Sequence, residues 1–206
     1  MTIPIAETAL LLCDLQNDFI HADGAYGRAG QGAAEIAALP ARIQPLAKAM
    51  RHAGGWIVAT QFTLVPGRDG APMISPHLQR LRPFLAKGDF VPHRWGHAIV
   101  DELQPVDLAV EKIAYSAFFN TRLEWVLRRV GIRRLLVCGI VTNGGVASTL
   151  RDAHVRDFEV VLLEDGCAAF STATHDATIA SLRGLCPVIS IGEALQEVAQ
   201  AASFRG

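Results

Sequence analysis

Three stretches of this chain hold groups that could do chemistry together. Asp14 ends the apolar run 9–13. A carboxyl group placed there is poorly solvated, so it must be paired, hydrogen-bonded or protonated. Lys112 ends a second strand-like run, Leu108-Ala109-Val110-Glu111-Lys112, and a desolvated ammonium needs a partner of opposite charge. The turn Gly139-Ile140-Val141-Thr142-Asn143-Gly144-Gly145 feeds a helical segment. Free N–H groups at such an entrance attract a carboxylate or a developing oxyanion. The chain thus offers an acid, a base and a glycine-rich anion cradle. Each also has a plainer reading: Asp14 capping the turn at Gln16-Asn17-Asp18, and Lys112 snorkelling to solvent.

The elements that must position these groups follow from hydrophobic patterning. Continuous apolar runs at 9–13, 56–59, 108–110, 135–138, 160–163 and 187–191 predict strands buried on both faces, as in a parallel sheet covered by helices. Helix spacing recurs over 40–52, 143–156, 172–185 and 193–201. It recurs again through Phe119, Leu123, Val126, Leu127 and Val130, with Asn120 and Thr121 as an N-cap and Gly131 as a stop. This rhythm predicts an α/β fold spanning 1–206: one domain, a doubly wound sheet of about six mainly parallel strands, and helices on both faces. Ligands of open α/β sheets bind beyond the carboxyl ends of the strands. Asp14, Thr60-Gln61, Glu111-Lys112 and Gly139 all fall there. The stretch 63–104 breaks the rhythm with Pro66, Pro72, Pro76, Pro83 and Pro92. It is expected to be an irregular excursion with one short helix near 77–85, the kind of loop that caps active sites.

Composition narrows the function classes. The chain has 206 residues, half of them hydrophobic, and a formal net charge of -1, which gives no electrostatic case for nucleic acid or an anionic membrane. The basic cluster Arg128, Arg129, Arg133 and Arg134 reads as a solvated helix end. Four cysteines without metal spacing, Cys13, Cys138, Cys167 and Cys186, fit reduced buried thiols and a cytoplasmic setting. The N-terminus lacks a basic signal region, and no apolar run reaches spanning length. His93 and His97 sit four apart, but no HExxH or DxH pattern accompanies them, so neither metal nor cofactor is expected. The 139–145 turn has P-loop glycine spacing, yet Gly145 replaces the required lysine. No GxGxxG follows the first strand. Phe19, Trp95, Tyr115 and Phe118 are candidates for an apolar wall or for core, Gln61 for a polar contact, and Arg68 or Arg94 for reaching a substrate anion.

Taken together these residues resemble the isochorismatase-like hydrolase family. Leu10 to Phe19, reading Leu-Leu-Leu-Cys-Asp-Leu-Gln-Asn-Asp-Phe, is similar to that family's first strand and its D-x-Q-N-D-F signature. Lys112 with Tyr115-Ser116-Ala117-Phe118 is similar to its K-x-x-Y-S-A-F segment. Gly139 through Thr149 and Asp152-Ala153 resembles its G-x-x-T-x-x-C-V-x-x-T-x-x-D-A block. The resemblance covers nearly the whole chain in the expected order. It implies a six-stranded parallel sheet, a homo-oligomer (dimer or tetramer), a small-molecule substrate and a non-proline cis peptide at Ile140-Val141. It also implies that Asp14 and Lys112 are catalytic. Val141 and Gly145 would supply anion-binding backbone, and Gln16, Phe19, Gln61, Tyr115, Phe118, Val141 and Thr142 would surround the substrate.

One departure decides the mechanism. Gly145 stands where amide-cleaving relatives carry a nucleophilic cysteine, so covalent thiol catalysis is unavailable there. The isochorismatases proper also lack that thiol and hydrolyse a vinyl ether to pyruvate. In that chemistry Asp14 would protonate the enol-ether carbon. Burial favours the protonated carboxyl this step needs, whereas a close Lys112 ammonium opposes it. The leading expectation is therefore a non-cysteine hydrolase acting on a vinyl ether or related small carboxylate. A catalytically silent binding protein and an amide hydrolase using activated water are the alternatives.

Overall fold

The computed structural model describes residues 3–203. Its centre is one sheet of six strands: β1 (Thr8–Cys13), β2 (Trp56–Phe62), β3 (Leu108–Lys112), β4 (Arg134–Ile140), β5 (Glu159–Ala168) and β6 (Val188–Ile189). All pairings are parallel, in the order β3-β2-β1-β4-β5-β6. Nine helices accompany them among the described residues. They are α1 (Asn17–Ile20), α2 (Ala25–Arg28), α3 (Ala34–Ala37), α4 (Leu39–His52), α5 (Pro76–Leu81), α6 (Leu123–Arg129), α7 (Ala147–His154), α8 (Thr172–Leu182) and α9 (Ile191–Ser203). Every residue of β1 is buried, as its unbroken apolar sequence requires of a central strand covered on both faces. No helix among the described residues is long and apolar enough to cross a membrane.

The strand order reverses between β1 and β4, the place where an open parallel sheet leaves a crevice at its carboxyl edge. Register fixes what meets there. Cys13 pairs with Thr60 on one side and Gly139 on the other, and Phe62 pairs with Lys112. Asp14 is the first residue past β1 and takes a left-handed backbone (φ 56), a conformation an aspartate tolerates better than most side chains. Gly139 has φ +120, and a Cβ there would stand 2.2 Å from the Cys13 carbonyl oxygen. Only glycine lets β4 lie this close to β1.

Several boundaries differ from the sequence expectation for identifiable reasons. β2 continues past residue 59 because Gln61 and Phe62 still pair with β3, so polar side chains conceal paired backbone. The helix expected from Phe119 starts at Leu123, whose N–H is accepted by the Thr121 hydroxyl at 3.1 Å, and Phe119 is left exposed. The segment 143–156 opens with a wide π turn, Thr142–Val146, before α7. The last helix starts two residues earlier than expected, at Ile191. Ser190 and Glu193 form a reciprocal cap there, with Ser190 N–H to Glu193 Oε2 at 2.7 Å and Glu193 N–H to Ser190 Oγ at 3.1 Å. The 63–104 excursion is irregular as expected and contains α5.

Candidate active site

The Asp14 carboxylate is held on both oxygens. The Thr60 hydroxyl donates to Oδ1 at 2.7 Å, and Lys112 Nζ lies 2.6 Å from Oδ2. Both charged side chains are almost wholly buried, 5% and 2% exposed. Lys112 also donates to the Ala114 carbonyl at 2.9 Å, and its ammonium lies 5.7 Å from the centre of the Phe62 ring. Burying two charges is costly unless each is paired and hydrogen-bonded, and here both are. Asp14 and Lys112 follow strands that are not neighbours: β2 lies between β1 and β3, and the two side chains meet across it.

Gly145 completes the group. A Cβ on it would stand 3.1 Å from Asp14 Oδ2 and 3.6 Å from Lys112 Nζ. The place where a side chain would project is therefore the place where the acid and the base converge. The peptide Ile140–Val141 is cis. Asp14, Lys112, Val141 and Gly145 all line one cavity of about 350 Å³, within the size range of small-molecule sites.

Of the residues expected around the substrate, Phe19, Tyr115 and Val141 line this cavity. Gln16, Gln61, Phe118 and Thr142 do not, because their side chains are committed elsewhere. Gln16 is fully buried. It donates to the Phe62 and His97 carbonyls, both at 3.0 Å, and accepts from Phe62 N–H at 2.7 Å. Gln61 donates to the His97 carbonyl at 2.8 Å. Phe118 is core, packed against Phe158 and the Arg156 guanidinium. The Thr142 hydroxyl is 2.9 Å from His175 Nδ1 and has no exposure. Trp95 packs edge-on against His21, away from the cavity, and Arg94 lines a different depression.

The opening sequence motif thus divides its labour. Asp14 faces the cavity, while the next polar residues fasten the 63–104 excursion over it. Asn17 donates to the Trp95 carbonyl at 2.8 Å, and Asp18 accepts from Ala25 N–H at 3.0 Å and from Phe90 N–H at 2.6 Å. Burial pushes the Asp18 carboxyl up from its ordinary value, against those two N–H groups. Phe19 packs on Phe90 and Tyr26, with ring centres 4.5 and 4.9 Å apart.

Tyr26, Phe62, His77, Arg82 and Phe170 also line the cavity. None stands out in the sequence: Tyr26 and His77 lie on short helices, Arg82 and Phe170 in connecting segments, and Phe62 in the part of β2 beyond the apolar run 56–59. No three His, Cys, Asp or Glu side chains among the described residues are grouped to hold a metal ion.

A parallel sheet that presents a buried acid–base pair to an apolar cavity at its carboxyl edge defines an α/β enzyme. The Isochorismatase domain family model matches residues 8–193, and the chain belongs to that family and is a hydrolase. Ureidoacrylate amidohydrolase RutB from Pantoea ananatis is 37% identical over 189 residues, covering 83% of this chain and 70% of its own. The protein of that name from Yersinia enterocolitica is 35% identical over 193 residues, covering 86% and 79%. Among solved structures, a cysteine hydrolase from Pseudomonas syringae pv. phaseolicola superposes with a TM-score of 0.83 at 25% identity, over 98% of this chain and 96% of that one.

Proposed function

We propose that this protein hydrolyses a vinyl ether of a small carboxylic acid without a covalent intermediate, with Asp14 as its acid–base residue. The observation that carries this reading is the absence of a side chain at Gly145, 3.1 Å from Asp14 Oδ2 at the would-be Cβ. An acid and a base remain with no nucleophile between them, so the carboxyl group must act on substrate or water directly.

The step balances without a cofactor. An ion pair of Lys112 and Asp14 is one tautomer of a neutral amine and carboxylic acid, so the pair can release one proton from the carboxyl group. That proton goes to the terminal carbon of the enol ether, whose π electrons form the new C–H bond. Water adds to the oxocarbenium carbon and returns its proton to the carboxylate. The hemiketal then collapses to an alcohol and a keto acid. Thr60 holds Oδ1, while Oδ2 faces both Lys112 Nζ and the space beside Gly145, so it can take a proton from the one and pass it into the other. The apolar cavity walls strengthen the interaction of these charges with the cationic transition state.

The test is pyruvate release from simple monoanionic 2-alkoxyacrylates, with Asp14→Asn as control. Pyruvate from the parent protein and none from the variant supports the reading. No pyruvate from any of them sinks it, and a bound but unconverted vinyl ether would favour a silent binding protein.

A second reading has its own support. The relatives named above are amidohydrolases by name, and ureidoacrylate is itself a small carboxylate carrying an amide. In that case Asp14 would deprotonate a water occupying the space beside Gly145. Ammonia release from ureido or carbamoyl acids would identify this chemistry.

A further inference from the structure

The charges lining the cavity specify what kind of molecule it takes, an inference that rests on the hydrolase reading of this site. Asp14 and Lys112 neutralise each other at 2.6 Å. Arg82 also lines the cavity and makes no ion pair among the described residues. It is half-buried and held from several directions. Its Nε donates to Tyr26 Oη at 3.0 Å, and Nη1 donates to the Leu81 carbonyl at 2.9 Å. Its guanidinium carbon lies 5.9 Å from the centre of the Phe170 ring. Tyr26 and Phe170 are themselves stacked, with centres 5.1 Å apart and planes 5° from parallel. Nη2 has no hydrogen-bond partner among the described residues.

A guanidinium oriented by a phenol and an aromatic ring, partly desolvated and lacking a counter-charge, is a prepared anion site. Its planar fork matches a carboxylate. We propose that Arg82 binds the carboxylate of the substrate, and that the substrate is a small monoanion with an apolar body. One unbalanced fixed cation answers one negative charge. A second carboxylate inside the cavity would be desolvated without a partner, at a cost that excludes tight binding. His77, the remaining basic side chain on the lining, is exposed and contributes no buried counter-charge.

The experiment compares benzoate, benzamide and phthalate by titration calorimetry on the parent protein, Arg82→Gln and Arg82→Lys. The first two probes share size and ring and differ in charge. The parent should bind benzoate at least about tenfold more tightly than benzamide, and phthalate no better than benzoate. Arg82→Gln should bring benzoate and benzamide to within about twofold of each other, and Arg82→Lys should keep part of the preference because it keeps the charge without the fork. The proposal is overturned if neither benzoate nor benzamide binds the parent. Equal binding of the two, tighter binding of phthalate, or an undiminished benzoate preference in Arg82→Gln overturns it as well. If Arg82→Gln does not fold, Arg82→Lys carries the comparison. Binding needs no turnover, so a failed pyruvate assay and a failed charge preference remain separate results.

Discussion

Lys112 reaches Asp14 across an intervening strand: Nζ sits 2.6 Å from Oδ2 although β2 lies between β1 and β3. The two strands are two spacings apart, on the order of 9–10 Å, and the lysine stem, the ion-pair contact and the aspartate side chain bridge that gap together, with both side chains almost wholly buried. The pair is therefore structural as well as chemical. Replacing Lys112 by Met strands a buried carboxylate and should cost about 3–5 kcal/mol of stability. Replacing both members by apolar residues, as in Asp14→Leu with Lys112→Met, should recover most of that loss while abolishing turnover. Urea denaturation of the two proteins measures the difference. A Lys112→Met protein as stable as the parent would mean that the pair is solvated.

The close approach of β4 to β1 at Gly139 makes a second prediction. Gly139→Ala puts a Cβ 2.2 Å from the Cys13 carbonyl oxygen in a backbone at φ +120, and it should destabilise the fold by at least about 3 kcal/mol. Gly30→Ala is the control. It also has positive φ, +67, but open space around it, so its cost should stay near the left-handed penalty of about 1–2 kcal/mol. Equal losses at the two sites would contradict the assigned strand contact.

The thiols should be spectators. Burial pushes Cys13 and Cys138 well above the ordinary thiol range, and Cys167 is pushed up to about 12. The folded parent should resist iodoacetamide and keep its activity. Gly145→Cys should react readily, because its sulfur would stand between the Asp14 carboxylate, which can accept the thiol proton, and the Lys112 ammonium, which stabilises the thiolate. Mass spectrometry after brief alkylation reads both results. Inactivation of the parent by alkylation would show that a native cysteine takes part.

Acid sensitivity should arise partly from His97. Burial holds this imidazole below its ordinary value of 6.5, and its Nε2 is 2.8 Å from the Thr63 hydroxyl. As pH falls through that ordinary value, the unfolded chain protonates first. The unfolded state then binds more protons, and stability drops until the folded-state value is also passed. His97→Gln should flatten this part of the profile. Midpoints of urea unfolding for parent and variant, taken from about pH 7.5 down to about pH 5, give the test. A parent midpoint that is constant or rises on acidification, with no difference from the variant, would contradict it.

The parts of the site that lie on strands were readable from sequence, because an apolar run that stops at a charge marks both a buried strand and its carboxyl end. Asp14, Lys112 and the Gly139–Gly145 turn were found in this way. The walls were not. Tyr26, Arg82 and Phe170 come from three segments without periodicity, and what gathers them is the fastening of the excursion through Asn17 and Asp18. Arg68 or Arg94 is the candidate the sequence offers for reaching a substrate anion, and Arg82 is the arginine that lines the cavity. Gln16 and Gln61 looked equally suited to a substrate, since sequence does not disclose that a polar side chain is already spent on backbone carbonyls.

The account stands most directly on where the first proton goes. Turnover of a 2-alkoxyacrylate in deuterium oxide, followed by mass spectrometry of the product, reads this step. The prediction is pyruvate carrying one deuterium in its methyl group, formed by the parent protein and not by Asp14→Asn. Pyruvate formed equally by the variant, or release of ammonia from ureido acids with vinyl ethers left untouched, would contradict it.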